Sequence, residues 1–240
     1  MISWGCEMHA KKQVALQNIY FSFTQVGKPF FENLSIDFKV GQINFVCGKN
    51  GMGKSTLLKI FSGTALQKSL QGTLQIDEVA YDVQKLDGML KSIAMVSQNF
   101  NVMLVDSYSF YENLQFALLS AYPSFVTLPT PLPLPEFVEK YGINPNLPIH
   151  LLSGGQRQIL SILMVLQQSP QILLLDEPTA ALDEENAAIV MSFLQDLCMQ
   201  ENITIIAIVH NLDVVEKYTG SSYFELYQEA GVRRVRTILM

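Results

Sequence analysis

The sequence predicts an α/β protein built around a mostly parallel sheet. Three observations carry that expectation: four near-continuous apolar runs, helical patterns lying between them, and a pair of alternating segments at the start. The runs are Ile43 to Cys47, Ile93 to Val96, Ile172 to Leu175 and Ile203 to Val209. Near-continuous apolar runs of this length are what strands covered on both faces look like, and parallel sheets are covered on both faces. Helical patterns occupy Lys54 to Phe61, Gln156 to Gln168 ahead of Pro170, and Glu185 to Met199. In the last of these Ile189, Val190, Phe193, Leu194 and Leu197 share one face. Val14 to Phe23 and Phe30 to Phe38, joined through Gly27-Lys28-Pro29, read instead as an antiparallel β subdomain.

Composition narrows the functional classes. Apolar residues make up 49% of the 240 and charged residues 16%, which argues for a packed globule whose sparsely charged surface is covered by partners. The net charge of -6 provides no basic field, so nucleic acid is not expected as a ligand. Cys6, Cys47 and Cys198 are scattered and odd in number, fitting a reducing cytoplasm rather than a disulfide scaffold or a zinc site. No apolar stretch approaches the roughly 18 residues of a membrane span, and Met1 to Lys12 lacks the apolar core of a secretory signal. The segment from Asn99 to Leu152 differs from its surroundings. It holds a helical stretch around Tyr111 to Ser120 and a proline-studded link, Thr127 to Pro135, read as a stiff extended connector. The expected organisation is one domain over 1–240, with a core from 1–98 and 156–240 and an inserted helical subdomain over 99–155.

Two motifs carry chemistry directly. Gly48-Lys49-Asn50-Gly51-Met52-Gly53-Lys54-Ser55 has the P-loop pattern and lies between an apolar strand and a helix, as that pattern requires. Glycines let successive backbone N–H groups point at phosphate oxygens, and the helix N-terminus adds its positive dipole end. Lys54 then neutralises the terminal phosphates of ATP, Ser55 offers a hydroxyl to Mg2+, and Thr56 adds a hydrogen bond to phosphate. Met52 contributes only its backbone N–H. The second motif is Asp176-Glu177, closing the run from Ile172. On a strand parallel to the one feeding the loop, Asp176 holds Mg2+ through water and Glu177 polarises the attacking water as general base.

A third stretch, Leu152-Ser153-Gly154-Gly155-Gln156, places a serine and two glycines ahead of a helix and makes a second anion-binding N-terminus. One nucleotide needs only one such loop. This stretch resembles the signature motif of the ABC (ATP-binding cassette) superfamily, and the chain resembles that family from about Val14 to Leu226. The resemblance implies a P-loop NTPase core with an antiparallel β subdomain and a helical insertion. It also implies a homodimer, or a pair with a paralogue, in which Ser153, Gly154, Gly155 and Gln156 close over the ATP held by the other subunit. By the same resemblance Gln98 contacts Mg2+ and senses the membrane partner, Asp183 of Ala181-Leu182-Asp183 faces the dimer, and His210 contacts the terminal phosphate. Phe23, with Tyr20 as the alternative, stacks on adenine. Gly48, Gln98, Asp176 and His210 all follow predicted parallel strands, the edge where open α/β sheets bind ligands.

The resemblance implies an ATPase on the cytoplasmic face of a membrane, driving separate permease subunits, with an extracytoplasmic solute-binding protein as a further partner. The motif wording looks most like importers of amino acids or related small solutes. An exporter or lipid-handling ATPase shares every motif, but a glutamate-containing segment of the exporter type is not evident in Asn144 to His150. A soluble ATPase of iron-sulfur cluster assembly is the remaining alternative, separated by its partners rather than by its site. The presence of Lys54, Glu177 and His210 argues against a regulator that binds nucleotide without turning it over.

Overall fold

A computed structural model describes residues 13–24, 28–65, 69–86, 90–118, 134, 136–210 and 220–238. The proline-studded stretch falls outside the described residues apart from Leu134, as do Met1 to Lys12 and Gly27 of the first turn. The order of elements is β1 (Val14–Phe21), β2 (Phe31–Phe38), β3 (Ile43–Cys47), α1 (Lys54–Phe61), β4 (Gln71–Ile76), β5 (Val79–Asp82), β6 (Ile93–Val96) and α2 (Phe110–Ala117). There follow α3 (Glu136–Lys140), α4 (Gly154–Leu166), β7 (Ile172–Asp176), α5 (Glu184–Glu201), β8 (Thr204–Ile208), β9 (Ser222–Glu229) and β10 (Val232–Ile238).

The ten strands form one sheet in the order β5-β4-β1-β2-β10-β9-β3-β8-β7-β6. β9, β3, β8, β7 and β6 run parallel, while β1 pairs antiparallel with both β2 and β4. The parallel strands explain their own sequences. Leu173 and Leu175 of β7 join the cluster beneath α4 and α5, while Ile172 and Leu174 join the opposite one with α1 and the antiparallel strands. Ile205 and Ala207 of β8 alternate with Ile206 and Ile208 in the same way. With a core on each side, Ile172 to Leu175 and Ile205 to Ile208 are apolar throughout.

Several boundaries differ from the sequence reading. β1 ends at Phe21, so Phe23 lies beyond it, in the loop. α4 begins at Gly154, two residues before the predicted start at Gln156, because Ser153 caps it: its hydroxyl accepts from Gln156 N–H and the Gln156 side chain returns a bond to Ser153 N–H. Two strands, β9 and β10, lie beyond the last strand the sequence reading placed. β10 links the antiparallel strands to the parallel ones, pairing antiparallel with β9 and, at Arg233 opposite Phe31, parallel with β2.

One buried polar group ties the helical part to the core. Asp196 of α5 is buried and accepts from Lys140 Nζ and from Tyr141 Oη. Burial pushes the Asp196 pKa up, yet the two bonds outweigh it and hold the carboxyl below its usual range, while burial and the bond to Asp196 push Tyr141 up to about 12. A depressed carboxyl pKa stabilises the fold above the unfolded value and ceases to do so as pH falls through the folded one. Asp196→Asn is therefore expected to cost about 1–2 kcal/mol at neutral pH, discounted because Lys140 is half-exposed. Denaturant titrations should show the gap closing below roughly pH 3.9. A gap independent of pH contradicts the assignment.

Candidate functional site

The first loop lies between β3 and α1, at the carboxyl edge of the parallel strands. Gly48 has φ 145° and Gly53 φ 97°. A Cβ at Gly48 would sit 2.4 Å from Leu226 O, and one at Gly53 2.4 Å from the Phe30 ring, so neither position accepts a side chain. Lys54 is buried, and its Nζ donates to Gly48 O at 2.7 Å and, more weakly, to Lys49 O at 3.4 Å, which holds the charge inside the loop. Lys49, Asn50 and Gly51 form the exposed outer bend, and Thr56 is half-buried behind them. The Met52 N–H donates to Lys49 O at 3.2 Å, closing a turn within the loop, and its side chain packs on the core.

The acidic strand end meets this loop. Ser55 Oγ lies 3.4 Å from Asp176 Oδ1. Burial pushes the Asp176 carboxyl up, and the neighbouring Glu177 charge adds to this, while the Ser55 bond, Lys59 and Lys54 pull it down. A cation at this point would favour the charged form. Among the described residues no cluster of three His, Cys, Asp or Glu side chains forms a protein cage for a metal. The oxygens of Ser55 and Asp176, 3.4 Å apart, are instead of the kind that suits a hard cation keeping waters and substrate phosphates as its remaining ligands.

Glu177 is where the separate predictions converge. It sits just past β7 with φ 56°, a left-handed conformation unusual for a non-glycine residue and a mark of functional sites. Gln98 Nε2 donates to its Oε2 at 2.8 Å, and His210 Nε2 lies 2.5 Å from its Oε1. Gln98 follows β6 and His210 follows β8, the two strands flanking β7. One carboxylate is thereby fixed between two partners. The acid side chain is only 12% exposed while His210 is 48% exposed, leaving the imidazole accessible to a ligand from solution.

Phe23 is 56% exposed and meets Phe30 edge-on at 4.8 Å between centroids. Phe30 in turn backs Gly53 and carries Arg233 over its ring at 4.1 Å. Phe23 is thus the accessible end of an aromatic cluster that abuts the phosphate loop. Phe30 and Arg233 escaped the sequence reading, since nothing local marks a phenylalanine beside a proline or a strand arginine as part of a site.

The second loop has different walls. Its residues lie against the start of α5: a Cβ on Gly154 would come 2.8 Å from Leu182 Cδ2, and one on Gly155 2.8 Å from Asn186 Oδ1. The glycines here serve close packing, in addition to any anion. Ser153 Oγ donates to Asn186 Oδ1 at 2.8 Å, and Gln156 is engaged in the helix cap. Asp183 caps α5, accepting from Asn186 N–H at 2.8 Å, and these bonds from the backbone and side chain of Asn186 hold its carboxyl below the usual range. Asn186 was missed because a polar residue in a helix's first turn ordinarily signifies only capping.

A phosphate loop between strand and helix, an acidic end on a parallel strand and a fixed carboxylate define a P-loop nucleoside triphosphatase. Residues 31–180 match the ABC transporter family, and the chain belongs to it. The chain is 31% identical over 204 residues to the phosphonates import ATP-binding protein PhnC 1 of Ruegeria sp. (strain TM1040), covering 80% of this chain and 78% of that protein. It is 30% identical over 211 residues to the methionine import ATP-binding protein MetN 2 of Pectobacterium atrosepticum, covering 85% of this chain but 61% of the relative. Among solved structures, cbiO1 of Clostridium perfringens, part of the cbiONQ transporter complex, superposes with a TM-score of 0.73 at 27% identity, covering 95% of this chain and 88% of that one. The protein is an ABC ATPase. Among the described residues no helix is long and apolar enough to cross a membrane.

Proposed function

We propose that this chain powers uptake of a small solute through a separate membrane permease, working as a head-to-tail pair with two ATP molecules at the interface. What supports the reading most is the presence of two phosphate-type loops on different walls, one against Phe30, Phe31 and Leu226, the other against Leu182 and Asn186. In the pair, the start of α4 carries Ser153, Gly154 and Gly155 of one subunit onto the terminal phosphate held by Lys54 of the other. The adenine stacks on Phe23. Ser55 and Asp176 would hold Mg2+, with Gln98 as a further contact, and the ion would supply neutralisation of phosphate charge. Glu177 takes the proton of the attacking water, Gln98 and His210 fix its carboxylate, and exposed His210 reaches the phosphate.

Import is favoured because the relatives PhnC and MetN are named as import ATP-binding proteins. In this reading the solute is an amino acid or a related small solute, the chain works on the cytoplasmic face of the membrane, and a solute-binding protein outside it is a further partner. Reconstitution with a membrane permease that co-purifies with this chain tests the reading. ATPase activity should rise, and solute should accumulate on the side where ATP is supplied; accumulation on the other side would identify an exporter, and a soluble cluster-assembly complex in place of a permease would refute transport.

Shared sites have a further consequence. Ser153→Arg should bind ATP normally yet lose about 100-fold or more in turnover, because the donor lost is one that acts on the transition state. A fully active Ser153→Arg protein contradicts the pairing.

A further inference from the structure

Asn186 occupies an unexpected place in the second loop. Its amide is oriented by Asp183: Nδ2 lies 2.9 Å from both Oδ1 and Oδ2 of that carboxylate, which can only accept, so the NH2 faces Asp183. The oxygen therefore faces the other way, and two donors converge on it. Ser153 Oγ–H donates at 2.8 Å and Gly155 N–H at 3.3 Å. These are donors that the pairing proposed above assigns to the terminal phosphate of the partner's ATP. A serine hydroxyl has a single proton, so Ser153 cannot serve Asn186 and a phosphate at once.

We infer that Asn186 is a positioning residue of the second loop, an internal acceptor that holds the Ser153 hydroxyl and the Gly155 N–H until a phosphate oxygen displaces it. The inference rests on the head-to-tail reading. Displacement is favourable because a charged phosphate oxygen accepts more strongly than a neutral amide. The released amide stays anchored to Asp183, so engagement of the signature loop is mechanically joined to the segment Ala181-Leu182-Asp183. The amide thereby sets the ATP concentration at which two subunits close.

Asn186→Ala isolates this role. Alanine retains the backbone N–H that Asp183 Oδ1 caps, so the start of α5 keeps its cap while the competing acceptor is removed. In a Glu177→Gln background, with Mg-ATP titrated and dimer followed by light scattering, Asn186→Ala should lower the ATP midpoint about three- to tenfold, the scale of one or two modest hydrogen bonds. Damage to the fold would raise the midpoint or abolish dimerisation, so the expected gain cannot come from instability. An unchanged or raised midpoint overturns the inference. Repeating the comparison with Ser153→Ala should shrink the shift, because the two side chains act together; an equal shift in both backgrounds means they are uncoupled and also overturns it. If Glu177→Gln alone forms no dimer at any ATP concentration, the paired reading falls and this inference with it, whereas a normal Glu177→Gln dimer insensitive to Asn186→Ala removes only the latter.

Discussion

Glu177→Gln is expected to bind ATP with unchanged affinity, to lose about 10²- to 10⁴-fold in hydrolysis, and to accumulate as a nucleotide-bound dimer. The size of the effect follows from geometry. Each Glu177 oxygen has a partner, Gln98 on one side and His210 on the other, so the carboxylate is held in place at the edge of the phosphate loop. Glutamine preserves shape but accepts no proton from water at neutral pH, and one of its two positions becomes a donor facing Gln98 or His210. The phosphate loop is untouched, so binding is spared. Single-turnover hydrolysis beside an equilibrium ATP titration separates the two quantities. Hydrolysis at the normal rate would transfer the base role elsewhere.

Lys54→Ala should instead act on binding. The Lys54 ammonium is buried and satisfied by loop carbonyls, chiefly Gly48 O, so it is already positioned when phosphate arrives. Its removal takes away a charge-assisted contact worth about 1.5–3 kcal/mol, or roughly 10- to 100-fold in affinity. It also leaves Gly48 O without that donor, which loosens the loop as a whole. Calorimetric titration with ATP gives the answer, and an unchanged affinity would remove Lys54 from the phosphate site. The contrast between the two variants, one losing turnover and the other affinity, discriminates a catalytic group from a binding group.

β3, β7 and β8 were legible because they are covered on both faces, and burial on both faces leaves a near-continuous apolar run such as Ile172 to Leu175. β4, β5, β9 and β10 were not legible. Their residues alternate between covered and exposed positions, as in Gln71–Ile76, or are mostly exposed, as in Val79–Asp82, and short alternating segments resemble loops in a single sequence. β10 is the extreme case, since Arg233, Arg234 and Arg236 look like a solvated face; yet Arg233 stacks on Phe30, and Arg236 and Arg234 pair with Glu225 and Glu229.

The site divides along similar lines. Lys54, Ser55, Asp176 and Glu177 could be found from local pattern, because strand-loop-helix context and a strand-ending acid pair are both visible in sequence. The meeting of Gln98 and His210 on Glu177 depends on β6 and β8 flanking β7, which is a property of strand order and not of any local stretch. Asn186 lies further out of reach. Its significance comes from an amide orientation set by Asp183 and from two donors arriving from another helix.

The central claim is that Ser153 of one subunit completes the site built around Lys54 of another. A structure of the Glu177→Gln protein with Mg-ATP tests it most directly. The account predicts a pair with Ser153 Oγ about 3 Å from the terminal phosphate cradled by the partner's loop, at hydrogen-bonding distance. A monomer, or a pair with Ser153 remote from any nucleotide, would contradict it.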